Sequence, residues 1–181
     1  MGMPVGHYFT VADLHAMPDD GKKYELVHGE LLVSPSPRML HQLVVGRLLA
    51  ALARYLERHP VGLAFPGGDV QDGDDSLVIP DLLVIDLEDA RTLSWARIKT
   101  PLLVIEVLSP SHERQDRFTK RRLYQELGVP VYWIIDAEAE VVEVWTPEAR
   151  FPLSEQREVR WQPPGASEPL VISLPELFRK P

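Results

Sequence analysis

The chain contains no cysteine, which removes disulfides, thiolate metal sites and cysteine nucleophiles from consideration. It lacks any apolar stretch long enough to span a membrane, for which about 18 residues are needed. The opening, MGMPVGHYFT, has neither a basic segment nor a long apolar run. No secretory leader is expected, and cytoplasm is the default location. Positive charge is scarce: 19 lysines and arginines face 27 aspartates and glutamates, for a net charge of -8. Such a balance disfavours a broad, non-specific grip on nucleic acid. It leaves a nuclease open, because metal-site carboxylates add negative charge that a cation cancels. Glycine is also sparse, with 11 against 17 prolines, a composition that restricts the unfolded chain. Absent too are GxGxxG, the phosphate-loop GxxxxGK, HExxH and GxSxG, and with them the common nucleotide, zinc-protease and serine-hydrolase signatures.

What is present fits one domain over residues 1–181, in which 45% of residues are hydrophobic and 25% charged, with no repeat and no linker. Thr10 and Asp13 read as a capping pair for a short helix ending near Pro18. Tyr24–Val27 and Glu30–Val33 flank His28-Gly29 as a hairpin. From Met39 to about Arg58, Leu40, Val44, Leu48, Leu52 and Leu56 form a helical stripe widened by Leu43, Leu49 and Ala53. Short strands are expected at 61–65, 69–71 and 77–85, with Pro80 marking a bulge or edge position in the third. A core strand at 102–108, a helix from about Glu113 to Leu127 and a strand at 131–135 make a crossover unit joining parallel strands. Further strands are expected at 141–146, 157–161 and 170–172, before a terminal helical turn. The class is α/β or α+β: a mixed β-sheet flanked by helices.

Two carboxylates interrupt apolar strand patterns. Asp81 follows Pro80 in SLVIPDLLVID, and Glu106 lies within PLLVIEVL. Ionised groups inside a sheet are costly unless paired or bound to a cation, so the pair points to a site for Mg²⁺ or Mn²⁺, which take oxygen ligands and retain waters. The plainer alternative is two strand-end residues facing solvent. Lys120 follows on the next helix, where it either serves that site or forms an exposed ion pair with Asp116. Glu30 from the hairpin and His41 or Gln42 from the start of the long helix are further candidates. Asp136 is explained by a turn, the acidic run Asp69, Asp72, Asp74 and Asp75 by a loop. Ser109, Ser111 and His112 cluster without triad spacing.

YELVHGELLVSPSP, HQLVVGRLLAAL, IPDLLVI, PLLVIEVLSPS, DRFTKRRLYQELGVPVYWIID and SLPELF together resemble the Uma-two family of restriction-endonuclease-type proteins, within the PD-(D/E)xK nuclease-like superfamily. The resemblance runs from about Tyr24 to Phe178. It implies a restriction-endonuclease-like core and a metal-dependent endonuclease acting on nucleic acid, DNA by preference, as a homodimer. Pro80-Asp81 matches the PD element and Glu106 the second acid. The usual lysine two positions after that acid is Leu108 here, and Lys120 matches the lysine that replaces it from the following helix. Glu30 matches a recurrent acidic position. The implied catalytic set is therefore Glu30, Asp81, Glu106 and Lys120, with Asp81 and Glu106 as ligands of Mg²⁺ or Mn²⁺. The acidic charge and the displaced lysine leave two rivals: a non-catalytic nucleic-acid-binding or protein-interaction module on the same fold, and a hydrolase of smaller phosphate compounds. An open cleft lined by Arg117, Arg121 and Arg122 would suit a polymer, an enclosed pocket a small molecule.

Overall fold

The computed structural model describes residues 7–109 and 114–181; the Ser111-His112 pair and the expected helix start at Glu113 lie outside them. Chain order begins with helix α1 (Val11–His15), which opens with the expected capping box between Thr10 and Asp13. Strands β1 (Lys23–Val27) and β2 (Glu30–Ser34) then pair antiparallel, with Val27 opposite Glu30. His28 and Gly29 both have positive φ (48° and 77°), the backbone a two-residue turn needs to match strand twist. Helix α2 spans Met39–Arg58, the range the periodicity predicts. Its buried face is Val44, Val45, Leu48, Leu52, Tyr55 and Leu56. The stripe is widened by Val45 and Tyr55, whereas Leu43 is half-buried and Ala53 exposed.

Three short strands follow: β3 (Gly62–Phe65), β4 (Val70–Asp72) and β5 (Ser76–Val78). The expected single strand over 77–85 is in fact two, because β5 ends before Pro80 and β6 (Leu82–Asp86) begins after it. Proline has no N–H for a ladder bond, and the chain uses this break to change sheets. Strand β5 belongs to a four-stranded sheet, β2-β1-β5-β4, whereas β6 joins a six-stranded one. A one-turn helix, α3 (Leu87–Arg91), follows, with Asp86 as its cap.

The six-stranded sheet is completed by β7 (Leu103–Val107), β8 (Tyr132–Asp136), β9 (Val141–Trp145) and β10 (Leu153–Glu155), in the order β10-β9-β8-β7-β6-β3. Only β7 and β8 run parallel, as the crossover reading requires. The connecting helix is not uniformly α-helical: residues Gln115–Lys120 form a π-helix that passes into α4 (Arg121–Glu126). Strands β11 (Glu158–Trp161) and β12 (Leu170–Ser173) form a separate ribbon, and α5 (Leu174–Leu177) closes the order.

Alternation across the six-stranded sheet divides the core. Leu82, Val84, Leu103, Ile105 and Trp133 pack with the buried face of α2 and with the β11-β12 ribbon. Leu83, Ile85, Val104 and Ile134 cluster instead with Leu123 and Tyr124 of α4 and with Val27, Leu32 and Val78 of the smaller sheet. Glu106 shares the face of Val104, two residues before it. It therefore meets the π-helix and β1, not α2. Among the described residues, no helix is long and apolar enough to cross a membrane.

Leu52 is fully buried in the α2 face, so Leu52→Ala should lower unfolding stability by about 2–5 kcal/mol through lost burial and a cavity. Urea denaturation measures this directly.

Candidate functional site

Two strands and the π-helix converge on the Lys120 ammonium. Its Nζ lies 2.8 Å from Glu25 Oε2 on β1, 3.0 Å from Glu106 Oε1 on β7 and 3.3 Å from Asp116 Oδ1 one turn earlier. All four side chains are nearly dry: Lys120 is 4% exposed, Glu106 2%, Asp116 6% and Glu25 0%. The exposed i, i+4 pair between Asp116 and Lys120 is thus the wrong alternative, since both groups are buried. A π-turn frees a carbonyl from the regular helical ladder and recurs at functional sites; here Tyr132 OH donates to the Asp116 carbonyl at 3.1 Å. Tyr124 OH donates to the same Glu106 oxygen that Lys120 holds, at 3.2 Å. Among the described residues, both donors to Glu106 reach Oε1 and none reaches Oε2.

Asp81 sits where the chain passes between the two sheets. Its Oδ2 accepts from the Val107 backbone N–H at 2.8 Å and lies 3.0 Å from His41 Nε2. Its Oδ1 has the Lys23 ammonium at 3.8 Å. Lys23 also donates to the Ile79 carbonyl at 3.0 Å, and Glu25 Oε1 accepts from the Ile79 N–H at 2.8 Å. Lys23 and Glu25 are two apart on β1, so they share one face of the strand. All this opens on a cavity of about 630 Å³, lined by Lys23, Arg38, His41, Asp81, Glu106, Asp116 and Lys120 among others.

Of the expected set, Asp81, Glu106 and Lys120 line this one cavity, and Glu30 does not. Glu30 is exposed at the first position of β2, beside the turn. Asp116 is the third carboxylate at the cavity wall, and Glu25 on the preceding strand joins the cluster from behind through its contact with Lys120. Glu25 stands between Tyr24 and Leu26, the same carboxylate-in-an-apolar-run pattern that singles out Glu106, so that signal was present in KYELV. His41 does reach the site, against Asp81. Arg117, Arg121 and Arg122 do not line the cavity. Arg117 pairs with Glu143 and Asp136, Arg121 stacks over Trp145, and Arg122 pairs with Glu126. Lys23 and Arg38 stand at its wall beside the buried Lys120.

Charge balance fixes the protonation pattern. Four carboxylates (Glu25, Glu106, Asp116, Asp81) face two ammoniums (Lys23, Lys120), and an excess of buried anions favours holding a proton. Burial pushes Glu106 up to about 8, reinforced by Asp116 and Asp81 and only partly opposed by the two lysines. Asp116 is raised for the same first reason. Burial also works against the Lys120 charge, but Glu106, Glu25 and Asp116 outweigh it and hold the ammonium well above its ordinary value. At Asp81 burial is outweighed by the His41 hydrogen bond, the Lys23 charge and the Val107 N–H, which bring the carboxyl down to about 2.

The donor set suits a hard cation. Among the described residues, Asp81 Oδ1 and Glu106 Oε2 are carboxylate oxygens without a hydrogen-bond donor, no sulfur side chain lines the cavity, and the surplus negative charge would be cancelled by a divalent ion. Among the described residues no three carboxylate or imidazole side chains form a metal cage. A bound ion would therefore draw most of its shell from water and substrate, as Mg²⁺ commonly does.

The Uma2 family model, described as "Putative restriction endonuclease", matches residues 11–179. A crystal structure described as a putative nuclease belonging to DUF820 from Anabaena variabilis superposes with a TM-score of 0.74 at 22% identity, covering 94% of this chain and 97% of that one. No curated protein matches the chain.

Two outcomes follow from the cluster. Lys120→Met strands buried carboxylates and should cost about 3–5 kcal/mol at neutral pH, read by chemical denaturation. Between the ordinary glutamate value of 4.5 and about 8, the folded chain keeps a proton on Glu106 that the unfolded chain has released. The stability from that proton is full below the ordinary value and is lost as pH rises through about 8. Melting temperature should accordingly fall with pH across this window in the wild type, and less steeply in Glu106→Gln.

Proposed function

The chain belongs to the Uma2 family, and on that premise we propose that it is a metal-dependent endonuclease hydrolysing phosphodiester bonds in nucleic acid, DNA by preference, in the cytoplasm. The observation that carries the reading is the convergence of Asp81, Glu106 and the buried Lys120 on one cavity. Asp81 and Glu106 would hold Mg²⁺ or Mn²⁺, through Oδ1 and Oε2. Such an ion polarises a phosphoryl oxygen and makes a bound water more acidic.

The remaining work falls to the side chains. His41 and the Val107 N–H fix Asp81 by one oxygen and so aim the other. Lys120 has three N–H donors, and three carboxylates surround it. In this arrangement it holds Glu106 in place and stabilises its anion, instead of reaching the attacking water itself. Lys23 donates to a single carbonyl and is 29% exposed, so it has donors left for a phosphate oxygen as negative charge accumulates. Burial of the cluster strengthens each of these interactions relative to water. The homodimer belongs to the same proposal; it rests on the family resemblance, and analytical ultracentrifugation decides it.

The test is cleavage of plasmid, oligonucleotide DNA and RNA with Mg²⁺ or Mn²⁺. Metal-dependent cutting is expected, reduced about 10²-fold or more in Asp81→Asn and Glu106→Gln. Glu30→Gln should retain wild-type activity. The non-catalytic reading draws on the three carboxylates that surround Lys120 and on the charge of -8. Binding without cutting under any metal would establish it.

A further inference from the structure

We infer that the strand entering this site is single: the substrate class is unpaired nucleic acid or a frayed end, held along a track running from the catalytic cavity over Lys23 into a second cavity beside α1. The inference rests on the nuclease reading above and narrows it. Its first ground is depth. Glu106 and Lys120 are 2% and 4% exposed, and Asp81 14%, so the reacting groups lie at the floor of the cavity and not on a face. A duplex presents its phosphates on a stiff rod and would have to be deformed to deliver one there, at an energetic cost. A single strand bends and enters without that cost.

The second ground is continuity. A neighbouring cavity of about 540 Å³ shares Lys23, Pro35, Ser36, Pro37 and Ile79 with the first. The proline-rich segment after β2 therefore walls both, and Lys23 stands between them. The second cavity adds Lys22, His15 and Tyr24, together with the carboxylates Asp19 and Asp69. Tyr24 is anchored by its hydroxyl, which donates to Asp20 at 3.0 Å, and the same carboxylate holds Lys22 at 2.6 Å. A fixed aromatic ring next to spaced cations is how single strands are held, by base stacking with a few phosphate contacts.

The third ground is charge. A duplex carries a phosphate charge about every 1.7 Å and is gripped by a broad basic face. Here the net charge is -8, and among the described residues the track offers Lys23, Arg38 and an Asp20-paired Lys22 besides the buried Lys120, with Asp19 and Asp69 also in its wall. Arg38 is exposed and has no ion-pair partner among the described residues. A few phosphates match this supply, whereas a duplex face does not.

The experiment compares one sequence as single strand, blunt duplex and forked duplex with unpaired arms, in DNA and in RNA. Binding is measured by fluorescence polarisation in EDTA, cutting with Mn²⁺. Single strands should bind and be cut at least about tenfold better than the blunt duplex, with cuts in the fork confined to its arms. Tyr24→Leu, which retains an apolar side chain, and the exposed Arg38→Ala should each weaken single-strand binding about tenfold. Duplex bound or cut as well as single strand would overturn the inference, as would unchanged binding in both variants. Single-strand binding that the variants weaken, without cutting by any metal, would uphold the track and sink the nuclease instead. The preference for DNA or RNA arms identifies the sugar.

Discussion

The Lys120 ammonium is the point on which the rest of the structure hangs. Removing it from water is costly, and the cost is offset only because three carboxylates from two strands and its own helix surround it. Those contacts tie the four-stranded sheet, through Glu25, to the six-stranded one, through Glu106. The crossover helix is fixed against both. The carboxylates would lose their common cationic partner without the ammonium, and the buried ammonium is kept charged by them. Position and charge are therefore set together.

The balance is deliberately incomplete in electrostatic terms. With Asp81 and Lys23 added, the site carries two more carboxylates than ammoniums, and the raised Glu106 together with the depressed Asp81 shows how the surplus is distributed. One carboxylate is kept ionised by neighbouring donors at the cavity wall, whereas burial holds the other well above its ordinary value. Paired titratable groups whose surroundings push them apart are characteristic of chemical sites more than of structural ion pairs. Here the separation comes from simple placement: Asp81 receives a backbone N–H and an imidazole, whereas Glu106 lies mid-strand under a helix.

Much of this was legible from the residue pattern. The α2 range, the β1-β2 hairpin, the parallel β7-β8 pair and the two carboxylates in apolar runs all follow from periodicity and from the cost of burying charge. What failed did so where tertiary structure decides. Pro80 was readable as a break in pairing, but the two sheets it separates are set by partners distant in sequence. The π-turn leaves no mark in QDRFTK, since it is selected by what Asp116 and Lys120 must reach. Glu25 was obscured because Glu30 carries the matching motif position, although the apolar-run criterion applies equally to KYELV. Whether Arg117, Arg121 and Arg122 line a cleft was not legible, because the partners Glu143, Asp136 and Trp145 are distant in sequence, while Arg122 meets a helical neighbour, Glu126.

A core designed for stability alone would not contain this cluster. Packed apolar residues of similar volume in place of a buried ion pair are often neutral or stabilising by about 1–4 kcal/mol, and the surrounding faces already supply Leu, Ile and Val in abundance. The cluster also demands a π-turn, which gives up regular helical hydrogen bonding near the carbonyl that Tyr132 then satisfies. A local departure from good packing that is compensated on every side, and that opens on the cavity beside Asp81 and Glu106, is the kind of place where a fold spends stability on chemistry. That reasoning also accounts for the acidic chain: the charges that would repel a polyanion from a distance are, at the cavity floor, the ones that would gather a divalent ion against it.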